Sequence, residues 1–241
     1  MIENVPTYVS MVFILNTFAT VGIMFNAVRR TGSEKFPARF FAFAVWFWIF
    51  FTGVLSVTGF YAATEAIPPR VFAFGALPGL ILALVYLAFF RNAFLDRLPL
   101  RALTLLHTVR LPVEIVLLWL FQAGLVPQVM TFEGRNFDIF SGLTAPFVAW
   151  LAFRGGKTRR GLLLIWNIVA FGLLINIVVT AIAAFPSPFQ QTAFDQPNRA
   201  VIYFPFIWLP SIVVPMVFFS HIAAFRQLLR STNEPEPAPK T

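Results

Sequence analysis

Cysteine is absent from the chain. That excludes a disulfide framework, a thiolate metal site and a cysteine nucleophile. Charge is scarce too: 12% of the 241 residues are Asp, Glu, Lys or Arg, against about 25% in a soluble domain. So few charges cannot cover a water-soluble fold. Histidine occurs twice, at His107 and His221, which is too few for a zinc site built from three histidines. Lysine occurs only at Lys35, Lys157 and Lys240. All three fall outside the long apolar runs, so a retinal Schiff base on a lysine of the last run is excluded.

Apolar residues fill the chain instead. They make up 59% of it, with 31 Phe and 6 Trp, and a bilayer is the solvent that such a composition requires. Seven runs stand out, at about 8–28, 40–62, 71–90, 102–123, 137–153, 161–184 and 201–225. Most approach the roughly 20 residues that a helix needs to cross about 30 Å of hydrocarbon. The links between them carry Pro, Gly and charge, which end helices. The expected fold is an all-α bundle of seven transmembrane helices. Residues 1–230 form one domain, and the Pro-rich tail 231–241 is a disordered cytoplasmic end.

Basic residues orient the bundle. Arg29, Arg30, Lys35 and Arg39 follow the first run, and Arg91, Arg97 and Arg101 follow the third. Arg154, Lys157, Arg159 and Arg160 follow the fifth, and Arg226, Arg230 and Lys240 follow the seventh. The alternate links hold only Arg70, Arg135 and Arg199. Cytoplasmic loops collect Lys and Arg, so the N-terminus is expected outside and the C-terminus inside. Glu3 precedes the first run where a cleavable signal peptide would carry basic residues. The net charge of +8 is then a topology signal, and nucleic acid is not an expected partner.

The fourth run, "LLHTVRLPVEIVLLWLF", carries His107, Arg110 and Glu114. At about 100° per residue, these three fall within roughly 60° of one another on a helix. Intramembrane charges are costly and mark functional sites or locked helix contacts. Arg110 and Glu114 are four residues apart and are expected to pair. Pro112 frees the carbonyl of Thr108 one turn back. The seventh run holds His221 at a depth matching His107, with Pro205, Pro210 and Pro215 spaced by five. The two histidines are candidates for metal or haem ligation, with Glu114 as a third metal ligand. Asn167 of the sixth run shares their depth. Asn16, Thr17, Thr20, Asn176 and Thr180 read as interhelical hydrogen-bonding residues. The aromatic second run reads as lipid-facing or packing. Glu133, Arg135 and Asp138 before the fifth run, and Asp195 and Arg199 before the seventh, are candidates for a charged lid.

The leading functional reading is a multi-pass membrane protein that binds or transports a small solute or ion at a polar site on the fourth and seventh helices. Its ligand-binding candidates are His107, Arg110, Glu114, Asn167 and His221. Glu114 would be the proton- or cation-responsive carboxylate, with Arg110 its partner or an anion ligand. Two alternatives stand beside it. One is a sensor or assembly-factor subunit working through a membrane protein partner or as a homo-oligomer. The other is a haem- or metal-dependent membrane enzyme. No catalytic residue is assigned and no cofactor is required. The expected location is a bacterial-type inner membrane.

Overall fold

The computed structural model describes residues 5–32, 38–89 and 94–230. The tail 231–241, Lys35, Arg91 and Lys240 lie outside the described residues. Among the described residues, seven principal helices form: α1 (Thr7–Arg30), α2 (Ala38–Val57), α3 (Leu77–Phe89), α4 (Leu100–Gln122), α5 (Ile139–Phe153), α6 (Arg160–Ala183) and α7 (Leu209–Arg230). Five of them, α1, α2, α4, α6 and α7, are long and apolar enough to cross a membrane. The remaining two apolar helices are shorter. The chain is an all-α, multi-pass integral membrane protein.

Helices α4 and α7 form the centre. In their most apolar stretches 61% of residues are buried, against 22% in α2 and 28% in α6. Helix α4 packs on α1, α5 and α7, while α7 also packs on α3 and α6. Helix α2 turns Phe43 and Phe50 outward, each about 70% exposed. Its narrow inner face holds Ile49, Thr52, Gly53 and Ser56. Ser56 donates to the carbonyl of Ile202 at 2.9 Å, so even the peripheral helix is tied to the segment before α7.

The second apolar run ends earlier than expected. Helix α2 stops at Val57, because Gly59 adopts φ 76° and a short 3-10 turn follows at Phe60–Ala62. The last run starts later than expected. Residues 203–207 are not helical, and the turn that opens the helix runs from Leu209. Pro205 and Pro210 give the reason. The first lacks an N–H that a helix interior would use, and the second is tolerated at a helix start, where that donor is not needed.

Helices α3 and α7 share one device. A π-turn, Phe72–Ala76 leading into α3 and Leu209–Val213 opening α7, is followed after one intervening residue by a proline, Pro78 or Pro215. The N–H groups of Leu77 and Val214 close the wide turns onto Phe72 O and Leu209 O. Each proline leaves the carbonyl four residues earlier without its helical donor. For Pro78 that carbonyl is Phe74 O, which accepts from the Tyr61 hydroxyl at 3.4 Å. For Pro215 it is Ser211 O, against which α3 lies through Gly79. A Cβ there would sit 2.9 Å from Pro215 Cγ. The two π-turns pack against each other.

The threonines expected to bond across helices bond within their own. Thr17 and Thr20 donate to Phe13 O and Asn16 O, one turn back, at 2.9 and 2.8 Å. Thr180 does the same with Asn176 O at 2.8 Å. A short hydroxyl reaches the preceding turn of its own helix more readily than a neighbour.

Candidate functional site

Helix α4 is interrupted by one 3-10 turn, His107–Val109, just ahead of Pro112. On either side of it, His107, Arg110 and Glu114 all point into the bundle and are 1%, 3% and 1% exposed. The expected Arg110–Glu114 pair does not form. Arg110 instead grips Asp138 at the start of α5: Nε donates to Oδ2 at 2.6 Å, and Nη2 faces Oδ1. Two parallel contacts from the planar fork fit a carboxylate placed opposite it, and an i,i+4 neighbour cannot offer that face. The fork is then filled. Nη1 and Nη2 both donate to Ala170 O of α6 at 3.0 Å, and Nη1 also donates to His221 Nε2 at 3.2 Å. All five N–H groups of Arg110 are thereby assigned.

That bonding fixes the histidine tautomers. Arginine has no acceptor, so His221 Nε2 must be the bare nitrogen and Nδ1 carries the proton. Nδ1 donates to Asn167 Oδ1 at 2.6 Å, and Asn167 Nδ2 returns a bond to the His221 carbonyl at 3.1 Å. Ser220 donates its hydroxyl to Val217 O at 2.8 Å. His107 Nε2, 3.2 Å from Ser220 Oγ, is therefore the donor of that pair. Its Nδ1 is left buried without a partner.

The two imidazoles do meet. Their ring centroids are 4.0 Å apart at 37°. The rings are in contact, and both nitrogens of His221 are engaged. Among the described residues, no group of three or more His, Cys, Asp or Glu side chains is placed to hold a metal.

Glu114 has a different partner from the one expected. Its Oε2 accepts from Asn136 Nδ2 at 2.6 Å. Asn136 is fully buried, although it belongs to the link before α5. It also donates to Met130 O at 2.9 Å and accepts the Asp138 N–H at 3.1 Å. One asparagine thus holds both carboxylates in register. The loop candidates separate accordingly: Glu133 and Arg135 are exposed while Asp138 is buried, so the three do not make a lid. Asp195 and Arg199 are exposed as well.

Beside this polar column lies a cavity of about 360 Å³. Arg110, Glu114 and Asp138 line one side of it. Apart from Asn198 the rest is apolar, from Val113 and Leu117 of α4, Leu174 and Val178 of α6, and Val213 and Val217 of α7. Phe72 and Ala76 of the first π-turn and Leu209 of the second complete the wall. Leu77 of α3 and Ile182 of α6 also line it and are 44% and 45% exposed. The cavity therefore reaches the molecular surface sideways, between α3 and α6. Its end is roofed by the segment around Asn198 and Val201. That roof is knitted down. Gln196 Nε2 donates to Phe121 O and Val126 O at 2.9 and 2.7 Å. The N–H groups of Arg199 and Ala200 donate to Leu125 O at 2.9 and 3.1 Å.

These features define a multi-pass helical membrane protein with a polar centre buried among its helices. Residues 67–229 match the model of a family described as "Domain of unknown function (DUF8737)", and the chain belongs to that family. The match spans α3 to α7, which supply every side chain of the polar column. No curated protein and no solved structure matches the chain.

Proposed function

We propose that the protein binds a small amphiphilic molecule that reaches its cavity sideways from the bilayer. One observation carries this reading. The cavity of about 360 Å³ is apolar along its length, polar at one wall, roofed at its end and bordered by exposed leucine and isoleucine between α3 and α6. Its size falls in the range of roughly 300–1,000 Å³ usual for small-molecule sites, and its mixture of many apolar and few polar groups is also usual there. Binding accounts for the geometry without transport. Toward the other end of the bundle, Leu103, Leu106, Ala223 and Ala224 pack in one apolar cluster. The polar groups themselves are bonded to one another rather than lining a wet path. A subunit acting through a membrane partner is the second reading, favoured by the dry bonding among α4, α5, α6 and α7.

The test is to narrow the cavity. Ala181 of α6 lines it and is only half-buried. Protein purified in mild detergent should release a stoichiometric amphiphile on organic extraction. Ala181→Phe should fold with unchanged helicity and carry several-fold less of it. Equal amounts from both proteins would sink the reading.

We further infer that all seven helices cross the membrane as one unit, with the N-terminus outside, in an inner membrane of the bacterial type. The excess of basic residues in alternate links supports this. In that orientation the cavity occupies the outer half of the bundle. Reporter fusions after Arg101, Arg160 and Arg230 should report cytoplasm, and fusions near Gly134 and Gln196 the outside. A cytoplasmic signal near Gln196 would require a different number of crossings.

A further inference from the structure

The charged groups of the cavity wall differ in what they have left to offer. Arg110 has no free N–H, as its five donors go to Asp138, Ala170 and His221. Asn136 spends its amide on Glu114 and Met130 O. Both Asp138 oxygens face Arg110. Glu114 is different. Asn136 meets its Oε2, and among the described residues no hydrogen bond reaches Oε1. Asn198 in the roof is sealed off by contrast. Its Nδ2 donates to Ala181 O at 3.3 Å, while its Oδ1 is buried without a partner. Arg110 has no donor left, and the open group beside it on the wall, Glu114 Oε1, is an acceptor.

Charge points the same way. Arg110 and Asp138 neutralise each other in a two-contact pair. Glu114 lies outside that pair and is, among the described residues, the only uncompensated ionisable group of the wall. A carboxylate ligand would find no free donor on Arg110 and would meet an ionised Glu114 as a like charge, which is strongly disfavoured where water is excluded. An amine or a hydroxyl would meet the open acceptor Glu114 Oε1. Resting on the cavity reading above, we propose that the amphiphile bound here has a hydrogen-bond-donating head, an amine or a hydroxyl, seated on Glu114. Its apolar body lies along α6 and α7 toward the opening between α3 and α6.

Four probes of one chain length test this: decylamine, decanol, decanoate and decane, each added to the unmodified protein in nanodiscs. Thermal unfolding reads the outcome, because a ligand that binds only the folded state raises Tm. Decylamine and decanol should each raise Tm, by about 5 °C at a hundredfold excess over Kd. Decanoate and decane should leave it within a degree. Ala181→Phe should lose the response to both stabilising probes. Glu114→Gln should lose the response to decylamine more than that to decanol, since the amide remains an acceptor but removes the charge. Decanoate stabilising as well as decylamine would overturn the head-group assignment and leave the cavity reading standing. No response to any probe in the unmodified protein would overturn both. The probe series on the unmodified chain decides the question even where Glu114→Gln does not fold.

Discussion

Asp138→Ala is expected to destabilise the protein by about 3–5 kcal/mol, the usual effect of stranding one member of a buried ion pair. The guanidinium left behind is 3% exposed. It would lose the two-contact partner that offsets its desolvation, and Glu114 cannot replace that partner without leaving Asn136. Arg110→Leu should cost a similar amount for the mirrored reason, because Asp138 would keep only Ser141 and the Asn136-ordered turn around it. The double variant should be more stable than either single one, because no charge is then left alone. Thermal unfolding of the four proteins in one detergent gives the coupling. Glu114→Gln is the control. It lies outside the pair and should show no comparable recovery when combined with Arg110→Leu. Additive effects of Asp138→Ala and Arg110→Leu would refute the pair, and recovery from Glu114→Gln instead would restore the i,i+4 pairing that the sequence suggested.

The positions of the helices were legible because hydropathy and helix-ending residues are local properties. The polar stripe on α4 was legible for the same reason: helical spacing alone puts His107, Arg110 and Glu114 on one face. Their partners were not. Whether Arg110 meets the carboxylate four residues away or one 28 positions away depends on how the link before α5 folds. A signal for that fold was present. Helix α5 has 15 residues, about 22 Å at 1.5 Å per residue, which is short of about 30 Å of hydrocarbon. A short span needs other chain to complete the depth, and non-helical backbone is tolerated there when it is buried in protein. The preceding residues show this burial: Arg135 and Phe137 face out, while Asn136 and Asp138 face in. The cavity was harder to foresee. It depends on two π-turns widening α3 and α7 at matching points, and the sequence shows only the prolines beside them.

Asn136 permits the sharpest test of the site, because its bond to Glu114 can be reversed. Asn136→Asp keeps the shape but places a second carboxylate 2.6 Å from Glu114 Oε2, where the amide nitrogen had been. Two carboxylates at that distance cannot both be ionised without a large penalty. The Met130 carbonyl also loses its donor. The single variant should therefore be destabilised by at least about 3 kcal/mol, combining a lost charge-assisted bond with an unsatisfied buried acceptor. Glu114→Gln in the same chain supplies an amide that can donate back to the introduced carboxylate across the same gap. Most of the loss should return, leaving about 1 kcal/mol for the unfilled Met130 carbonyl. Glu114→Leu supplies no donor and should rescue less than Glu114→Gln. Melting curves of the three variants against the parent decide it. Equal rescue by Gln and Leu would mean that only the removal of Glu114 mattered, and that Asn136 does not hold the carboxylate in place through a directed bond.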